Sequence, residues 1–343
     1  MGDATGGKKT VVVTGGNAGL GYECAKAIAA SDGGWRVILA VRGPEKGERA
    51  ARTIAEETGN LGVEAMRLDL ASLASVRSFA EELGRRDDLP PLRAVVCNAG
   101  LQVVGSTRYT EDGFEETFGV NHLGHFLLAN LLLQQLLAPA RIVFVSSGTH
   151  DPKRSTGMPA PRYRGAAALA YPERHPDPEE EGDRVGKVGR RRYTGSKLCN
   201  AMCAYELDRR LRAEGLSTPE APIEVNVFDP GAVPGTGLAR DWGPLARLTW
   251  DRGVVRLVPV LRRLGVRFST AEASGRALAR LVTDASLEGV SGRYFEIDEE
   301  ARSSEESYDR ENATELWETS AALVGLVPEE SPLRVVAAAP RTS

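Results

Sequence analysis

The 343-residue chain has little cysteine, little histidine and few aromatics: four Cys, four His, and 6% Phe, Trp and Tyr. Cys24, Cys97, Cys199 and Cys203 contain no Cys-x-x-Cys pair, which excludes a disulfide scaffold or a cysteine-zinc module. They read as free thiols in a reducing compartment, so the expected location is cytoplasmic. His122 and His125 stand three apart but have apolar neighbours and no carboxylates, so they read as structural or pocket-lining and no metal is expected. Charge of one sign is also missing. Lys and Arg total 43 against 47 Asp and Glu, a net charge of -4 that gives no bias toward nucleic acid or an anionic membrane. No apolar run reaches the roughly 18 residues of a membrane span. The polar, glycine-rich Met1–Lys9 lacks a signal-peptide core.

What the chain does have is 42% hydrophobic residues, enough for a sizeable core, and glycine in telling places. The β-branched run Thr10–Thr14 predicts a buried parallel strand. It leads into Gly15-Gly16-Asn17-Ala18-Gly19-Leu20-Gly21 and then a helical pattern. Strand, glycine turn and helix together form the context of a dinucleotide phosphate site. Gly15 permits the turn, Gly19 lets the backbone approach a pyrophosphate, and Gly21 allows close helix–strand contact. The helix start supplies oriented N–H donors, so Thr14, Asn17 and Leu20 fall in the same site.

The next strand, Trp35–Val41, ends at Arg42, with Lys46 one turn on. An acid there would select NAD through the ribose hydroxyls; a guanidinium instead suits a 2′-phosphate. The expected cofactor is therefore NADP(H). Further on, helix 45–58, strand 64–68, helix 72–86 and strand 92–97 alternate. Asp69, followed by Leu70, is placed to bond an adenine amino group or to cap the next helix with Ser72. Asn98-Ala99-Gly100 offers small residues where backbone passes a ligand. One long apolar helix is predicted over 113–137, interrupted by polar Asn121 and suited to burial or to pairing of two copies. Strand 141–145 then ends in Ser146-Ser147. This βαβ succession predicts an α/β fold, a Rossmann-like doubly wound parallel sheet with right-handed crossovers. Ligands in such sheets bind beyond the carboxyl ends of the strands, where most of these polar residues fall.

Residues 148–192 break the rhythm with Pro, Gly and charge runs and read as an insertion or lid. Tyr193 and Lys197 follow, four apart on one helical face. A lysine beside a phenol favours its ionised form and brings it toward the working range of acid–base catalysis. Strand 223–228 ends in Asp229-Pro230-Gly231, and Thr236 opens a second excursion, 236–268, read as a substrate flap. A membrane-surface helix over 254–266 is the weaker alternative. Helix 269–282, strand 292–296 and a helix near 313–324 complete a single domain over 8–330, followed by a tail, 331–343.

With these motifs assembled, the chain resembles the short-chain dehydrogenase/reductase family over about residues 11–295. The carriers are Thr14-Gly15-(x)3-Gly19-x-Gly21, Asn98-Ala99-Gly100, Asn121, Ser147, Tyr193-(x)3-Lys197 and Pro230-Gly231. Leu68-Asp69-Leu70-Ala71-Ser72, Asn121-His122-Leu123-Gly124-His125-Phe126 and Ser196-Lys197-Leu198-Cys199-Asn200 are similar to its retinol dehydrogenase and light-dependent protochlorophyllide reductase branch. The resemblance implies hydride transfer between NADPH and a carbonyl, with Tyr193 as proton donor. In it Lys197 holds the nicotinamide ribose and depresses the Tyr193 pKa, Ser147 orients the substrate oxygen, and Asn121 positions a relay water. The size of the excursions suggests a bulky apolar small-molecule substrate. The alternative is reduction of a C=C bond in a large conjugated substrate; a cofactor-sensing protein is a third reading. Protochlorophyllide reductases are expected to carry a functional cysteine after Pro-Gly, where this chain has Ala232.

Overall fold

A computed structural model describes residues 8–233 and 269–334. Thr236, the 236–268 flap and its alternative membrane-surface helix lie outside the described residues, as do residues 335–343 of the tail. Eight strands form one sheet in the order β3-β2-β1-β4-β5-β6-β7-β8. They are β1 (Lys9–Thr14), β2 (Trp35–Val41), β3 (Val63–Arg67), β4 (Leu92–Cys97), β5 (Leu136–Val145), β6 (Ile223–Asp229), β7 (Tyr294–Glu296) and β8 (Glu299–Ala301). All neighbours pair in parallel except β7 with β8, a short antiparallel edge that the sequence pattern did not announce.

The strands alternate strictly between two buried faces. Val12, Ile38, Val95, Ile142, Phe144 and Val225 join one core; Val11, Val13, Val37, Leu39, Val96 and Val143 join the other. Burial of both faces explains why the strands read as unbroken apolar runs. Helices α1 (Gly19–Ala29) and α2 (Pro44–Thr58) cover the second face, together with α8 (Ala271–Thr283). The first is covered by α3 (Leu73–Gly84), the short α4 (Glu116–Phe118), α5 (Gly124–Leu133), α6 (Ala166–Ala170), α7 (Val185–Ala213) and α9 (Arg310–Leu323).

Two expectations are corrected. The single helix over 113–137 is broken: Gly113 sits at φ 82°, α4 has one turn, and a π-turn over Gly119–Leu123 intervenes before α5. Residues from Leu136 on already belong to β5. The leucine-rich run hid this boundary because a short apolar stretch fits helix and strand alike. Of the two uses expected of this run, burial is the one seen for most of it, while Leu137 remains exposed. Phe126, Leu127, Leu128 and Leu132 are fully buried within the chain, and Trp317 of α9 packs edge-on against Phe126 at 4.8 Å. Finally, α7 begins at Val185, so the last eight residues of the stretch read as a lid, 185–192, are helix.

Candidate active site

The glycine turn between β1 and α1 is built to let backbone come close. Gly15 and Gly19 take φ 66° and 56°, values that favour glycine. A Cβ at Gly21 would lie 2.4 Å from Asn98 Nδ2 and 2.6 Å from Gly15 O, so only glycine fits. Ala18 at the α1 N-cap provides no side-chain cap, leaving the first-turn N–H groups for an anion. Arg42 and Lys46 are exposed beyond β2, with no ion pair among the described residues. These residues fit a dinucleotide: uncapped donors for its pyrophosphate and cations at the strand position that meets the adenosine ribose. Asp69 Oδ1 accepts from Ala71 N at 3.0 Å, while Ser72 caps α3 through Ser75 N, so both local bonds precede the helix. Leu70 turns its side chain into the core and has only backbone to offer a ligand. Asn17 and Leu20 lie half-buried on the turn.

Thr14 joins this turn to β4. Its Oγ1 accepts from Asn98 N and Ala99 N, each at 2.9 Å, and Asn98 Nδ2 donates to Thr14 O at 2.8 Å. Thr14 Oγ1 also meets His125 Nε2 at 2.9 Å, and His125 Nδ1 meets Asn121 O at 3.0 Å. A carbonyl only accepts, so Nδ1 carries the proton. Burial holds the His125 pKa down to about 4, so the ring is neutral and Nε2 accepts. The Thr14 proton therefore goes to His125 rather than to Val96 O at 3.3 Å. The phosphate turn and Asn121 are thus tied through one imidazole.

Asn121, fully buried in the π-turn, uses Oδ1 for Leu101 N at 2.8 Å and Nδ2 for Leu101 O and Ser196 Oγ. A Cβ on Gly100 would lie 3.3 Å from Asn121 Oδ1 and 3.4 Å from Lys197 Nζ, which brings those groups to the end of β4. Lys197 Nζ donates to Val145 O at 3.1 Å and lies 5.7 Å from the Tyr193 ring centre. Ser147, past the end of β5, stands beside the Tyr193 phenol and accepts from Thr149 Oγ1 at 3.1 Å. Asn121, Ser147, Tyr193 and Lys197 therefore converge at the carboxyl ends of β4 and β5. Gly231, at φ 70°, donates its N–H to Asp229 Oδ1 at 2.9 Å, and Pro230 O accepts from Ser274 Oγ at 2.8 Å.

One electrostatic expectation fails. Burial, and then the Asp229 carboxylate, push the Tyr193 pKa up, while Ser147 pulls it down. Burial also lowers Lys197 to about 8 against the pull of Asp229. Desolvation is the largest cause for both groups, and Lys197 is not among the causes that act on Tyr193. The other residues missed from sequence are those around Asp229. Arg154, in the first excursion, reaches Asp229 Oδ2 at 3.5 Å and grips Glu296 with both nitrogens at 2.8 and 3.1 Å. Tyr294 donates to Asp229 Oδ2 at 3.0 Å. His150 donates through Nδ1 to Ser147 O and accepts at Nε2 from Ser304 N at 3.2 Å. A Cβ on Gly148 would lie 2.8 Å from both Arg154 Nη1 and Asp229 Oδ2, so this cluster sits directly under Ser147. Asp229 shares the strand-end signal of the other site residues; Arg154 lies in a segment without periodicity and offered none.

Residues 9–159 match the family pattern described as short chain dehydrogenase. Protochlorophyllide reductase A of Oryza sativa subsp. japonica, a chloroplastic protein, is 36% identical across 94% of this chain and 83% of its own length. The chain belongs to the short-chain dehydrogenase/reductase family. It is an NAD(P)-dependent oxidoreductase of the branch that holds the protochlorophyllide reductases, as the sequence motifs anticipated. The WW domain-containing oxidoreductase of Gallus gallus is 35% identical over 92% of this chain and 68% of that protein. An uncharacterised protein from Mycobacterium Paratuberculosis superposes with a TM-score of 0.60 at 30% identity, covering 92% of this chain and 93% of that one. The fold alone is shared with the angucycline C-6 ketoreductase LanV, solved with bound NADP, at a TM-score of 0.56 and 20% identity over 84% of this chain and 93% of that one. No helix among the described residues is long and apolar enough to cross a membrane.

Proposed function

We propose that this short-chain dehydrogenase/reductase is NADPH-dependent and reduces a carbonyl, or oxidises the matching alcohol, with Tyr193 as the proton donor. The observation that carries the reading is the convergence of Ser147, Tyr193 and Lys197 beside β5, next to a turn suited to a dinucleotide. Thr14, Gly15, Asn17, Gly19, Leu20 and Gly21 would hold the pyrophosphate side. Arg42 and Lys46 would hold a 2′-phosphate, and Asp69, Leu70, Asn98, Ala99 and Gly100 would line the adenosine and ribose path. Pro230 and Gly231 would face the nicotinamide end.

When bound, the dihydronicotinamide supplies the hydride. The protein supplies the proton and the place for the charge. Ser147 Oγ donates to the substrate oxygen and stabilises the developing alkoxide. The raised pKa of Tyr193 keeps it a phenol at neutral pH, ready to give that proton. Lys197, protonated below about 8, offsets the phenolate left behind. Asn121 is held by Leu101 and Ser196 at a fixed position near Lys197, where it can seat a water for proton return.

The decisive variant is Tyr193→Phe: turnover should fall at least about 10³-fold, as loss of an acid and its hydrogen bond implies, with NADPH affinity nearly unchanged. Retained turnover would sink the assignment. The charge of Lys197 sets the pH dependence. Ketone reduction should decline as pH rises through about 8, because Lys197 loses its proton there. A rate that climbs from pH 7 to 9 would contradict that role.

A second reading, reduction of a C=C bond in a large conjugated substrate, is favoured by one observation: 36% identity to a protochlorophyllide reductase across 94% of the chain. Ala232, in place of the cysteine expected of that activity, weighs against light-driven chemistry. Product analysis separates the two, as an alcohol or a saturated ring.

A further inference from the structure

Three consecutive arginines open the turn of α7 that leads into Tyr193, and they are not alike. Arg191 is held by Glu180 and Asp183, each at 3.0 Å. Arg192 donates to Thr107 Oγ1 at 2.8 Å. Arg190 has no ion pair or hydrogen bond among the described residues, yet its Nε is shielded from solvent. Arg190 as a whole is half-buried, but an N–H shielded from water without an acceptor is costly, and a ligand oxygen at Nε would complete it.

Its position says which ligand. At 3.6 residues per turn, each helical step rotates about 100°. Tyr193 and Lys197 therefore point about 40° apart, and Arg190 falls on the Lys197 side, about 60° from Tyr193 and one turn nearer the helix start. Thr194 points about 40° beyond Arg190 and donates to Pro159 O of the first excursion at 3.1 Å. On the opposite side, Gly189 packs so tightly on the β4 loop that a Cβ would lie 2.2 Å from Val103 O, which fixes the rotation of this turn. By helical phase Arg190 thus falls on the side of α7 between Tyr193 and the Thr194 contact with Pro159. The 2′-phosphate and pyrophosphate positions at Arg42 and the α1 start lie at β2 and β1, whereas α7 packs on β5 and β6.

We infer that Arg190 receives a carboxylate of the substrate, so that the preferred substrate is an acid whose reducible carbonyl lies near Tyr193. The planar fork of arginine matches a carboxylate through two parallel N–H···O bonds, and the one made by the shielded Nε is sheltered from water. The excursion covers the apolar body while the acid group meets Arg190. The location rests on Tyr193 being the proton donor, but binding of the acid does not.

The test uses 4-benzoylbenzoate and its methyl ester, a bulky aromatic ketone with and without the charge. Binding of each to the full-length protein saturated with NADP⁺ is measured by calorimetry for wild type, Arg190→Ala and Arg190→Lys. Thermal melts confirm that each variant folds. The wild type should prefer the acid by about tenfold or more, as expected of a charge-assisted pair. That preference should collapse in Arg190→Ala and return in part in Arg190→Lys, with NADP⁺ affinity held. Equal binding of acid and ester by the wild type, failure of the acid to bind, or a preference that survives Arg190→Ala overturns the inference. So does a parallel loss of NADP⁺ affinity in Arg190→Ala, which would give Arg190 to the cofactor. If no variant oxidises NADPH with either ketone while the binding pattern holds, the reduction reading fails and the carboxylate site stands.

Discussion

Thr14 shows how much one hydroxyl can organise. It accepts two backbone N–H bonds from Asn98 and Ala99 and gives its single proton to His125. Thr14→Val keeps the shape and removes the acceptor; Asn98 N retains Val96 O at 3.0 Å, but Ala99 N is stranded at about 1–3 kcal/mol. Urea unfolding of Thr14→Val should show a loss of that order, while Thr14→Ser stays near wild type. Equal midpoints for the two variants would mean that β4 does not depend on this bond. Arg42 presents the contrasting case of an exposed side chain, to which the proposed NADPH dependence gives a ligand-directed task. Arg42→Ala should raise the NADPH KM by about tenfold or more, the value of a charge-assisted phosphate bond, with little change for NADH. A matched loss with both cofactors would remove Arg42 from the 2′-phosphate site.

At the scale of elements, the helix that carries Tyr193 is braced from outside the nucleotide core. Trp317 of α9 lies edge-on to Phe126 of α5 at 4.8 Å and beneath the Arg210 guanidinium of α7 at 5.2 Å. Removing a buried tryptophan typically costs about 3–5 kcal/mol. Trp317→Ala should therefore lower the unfolding free energy by that order, measured in urea; a change under about 1 kcal/mol would show that α9 is only draped on the domain. How legible each element was follows from the same local physics. β2 and β4 were readable end to end because short β-branched runs, buried on both faces, are bounded by turns or prolines. The π-turn at Asn121 and the start of β5 were not, because their leucines suit either structure and tertiary packing chose. The glycine turn, Ser147, Tyr193 and Lys197 were visible as motifs. The Arg154–Asp229–Glu296 cluster was not, since its members lie 75 and 142 residues apart from Arg154 and meet only in the folded sheet. Helical phase could have singled out Arg190 beside Tyr193, but only the structure shows its two neighbours paired and Arg190 without a partner among the described residues.

For the whole molecule, the buried histidines set the acid limit of stability. His122 is wholly enclosed, bonded to Ser320 of α9 at 2.9 Å and stacked on Phe118; burial, then its neighbour His125, hold its pKa down to about 3. His125 stays near 4 for the reasons given above. Unfolded histidine titrates near 6.5, so below that pH the unfolded chain binds protons that the native chain refuses. Each depressed pKa therefore contributes stability that is fully present above about 6.5 and is lost as pH falls toward 4 and then 3. Each tenfold loss of proton affinity on folding is worth about 1.4 kcal/mol, so the pair represents several kcal/mol, comparable with the whole stability of an ordinary domain. Glu115 works in the opposite sense: burial raises its pKa, so it is protonated in the native chain before the unfolded one and offsets part of the loss. Burial raises Glu306 in the same way, but it also lowers His150, so three depressed imidazoles stand against two raised carboxyls. The unfolding free energy in urea should fall steadily from pH 6.5 to 4.5, and His122→Gln, which cannot titrate, should flatten that slope. A stability that stays level over this range in the wild-type protein would show that the two imidazoles reach water and take up protons while the chain is still folded.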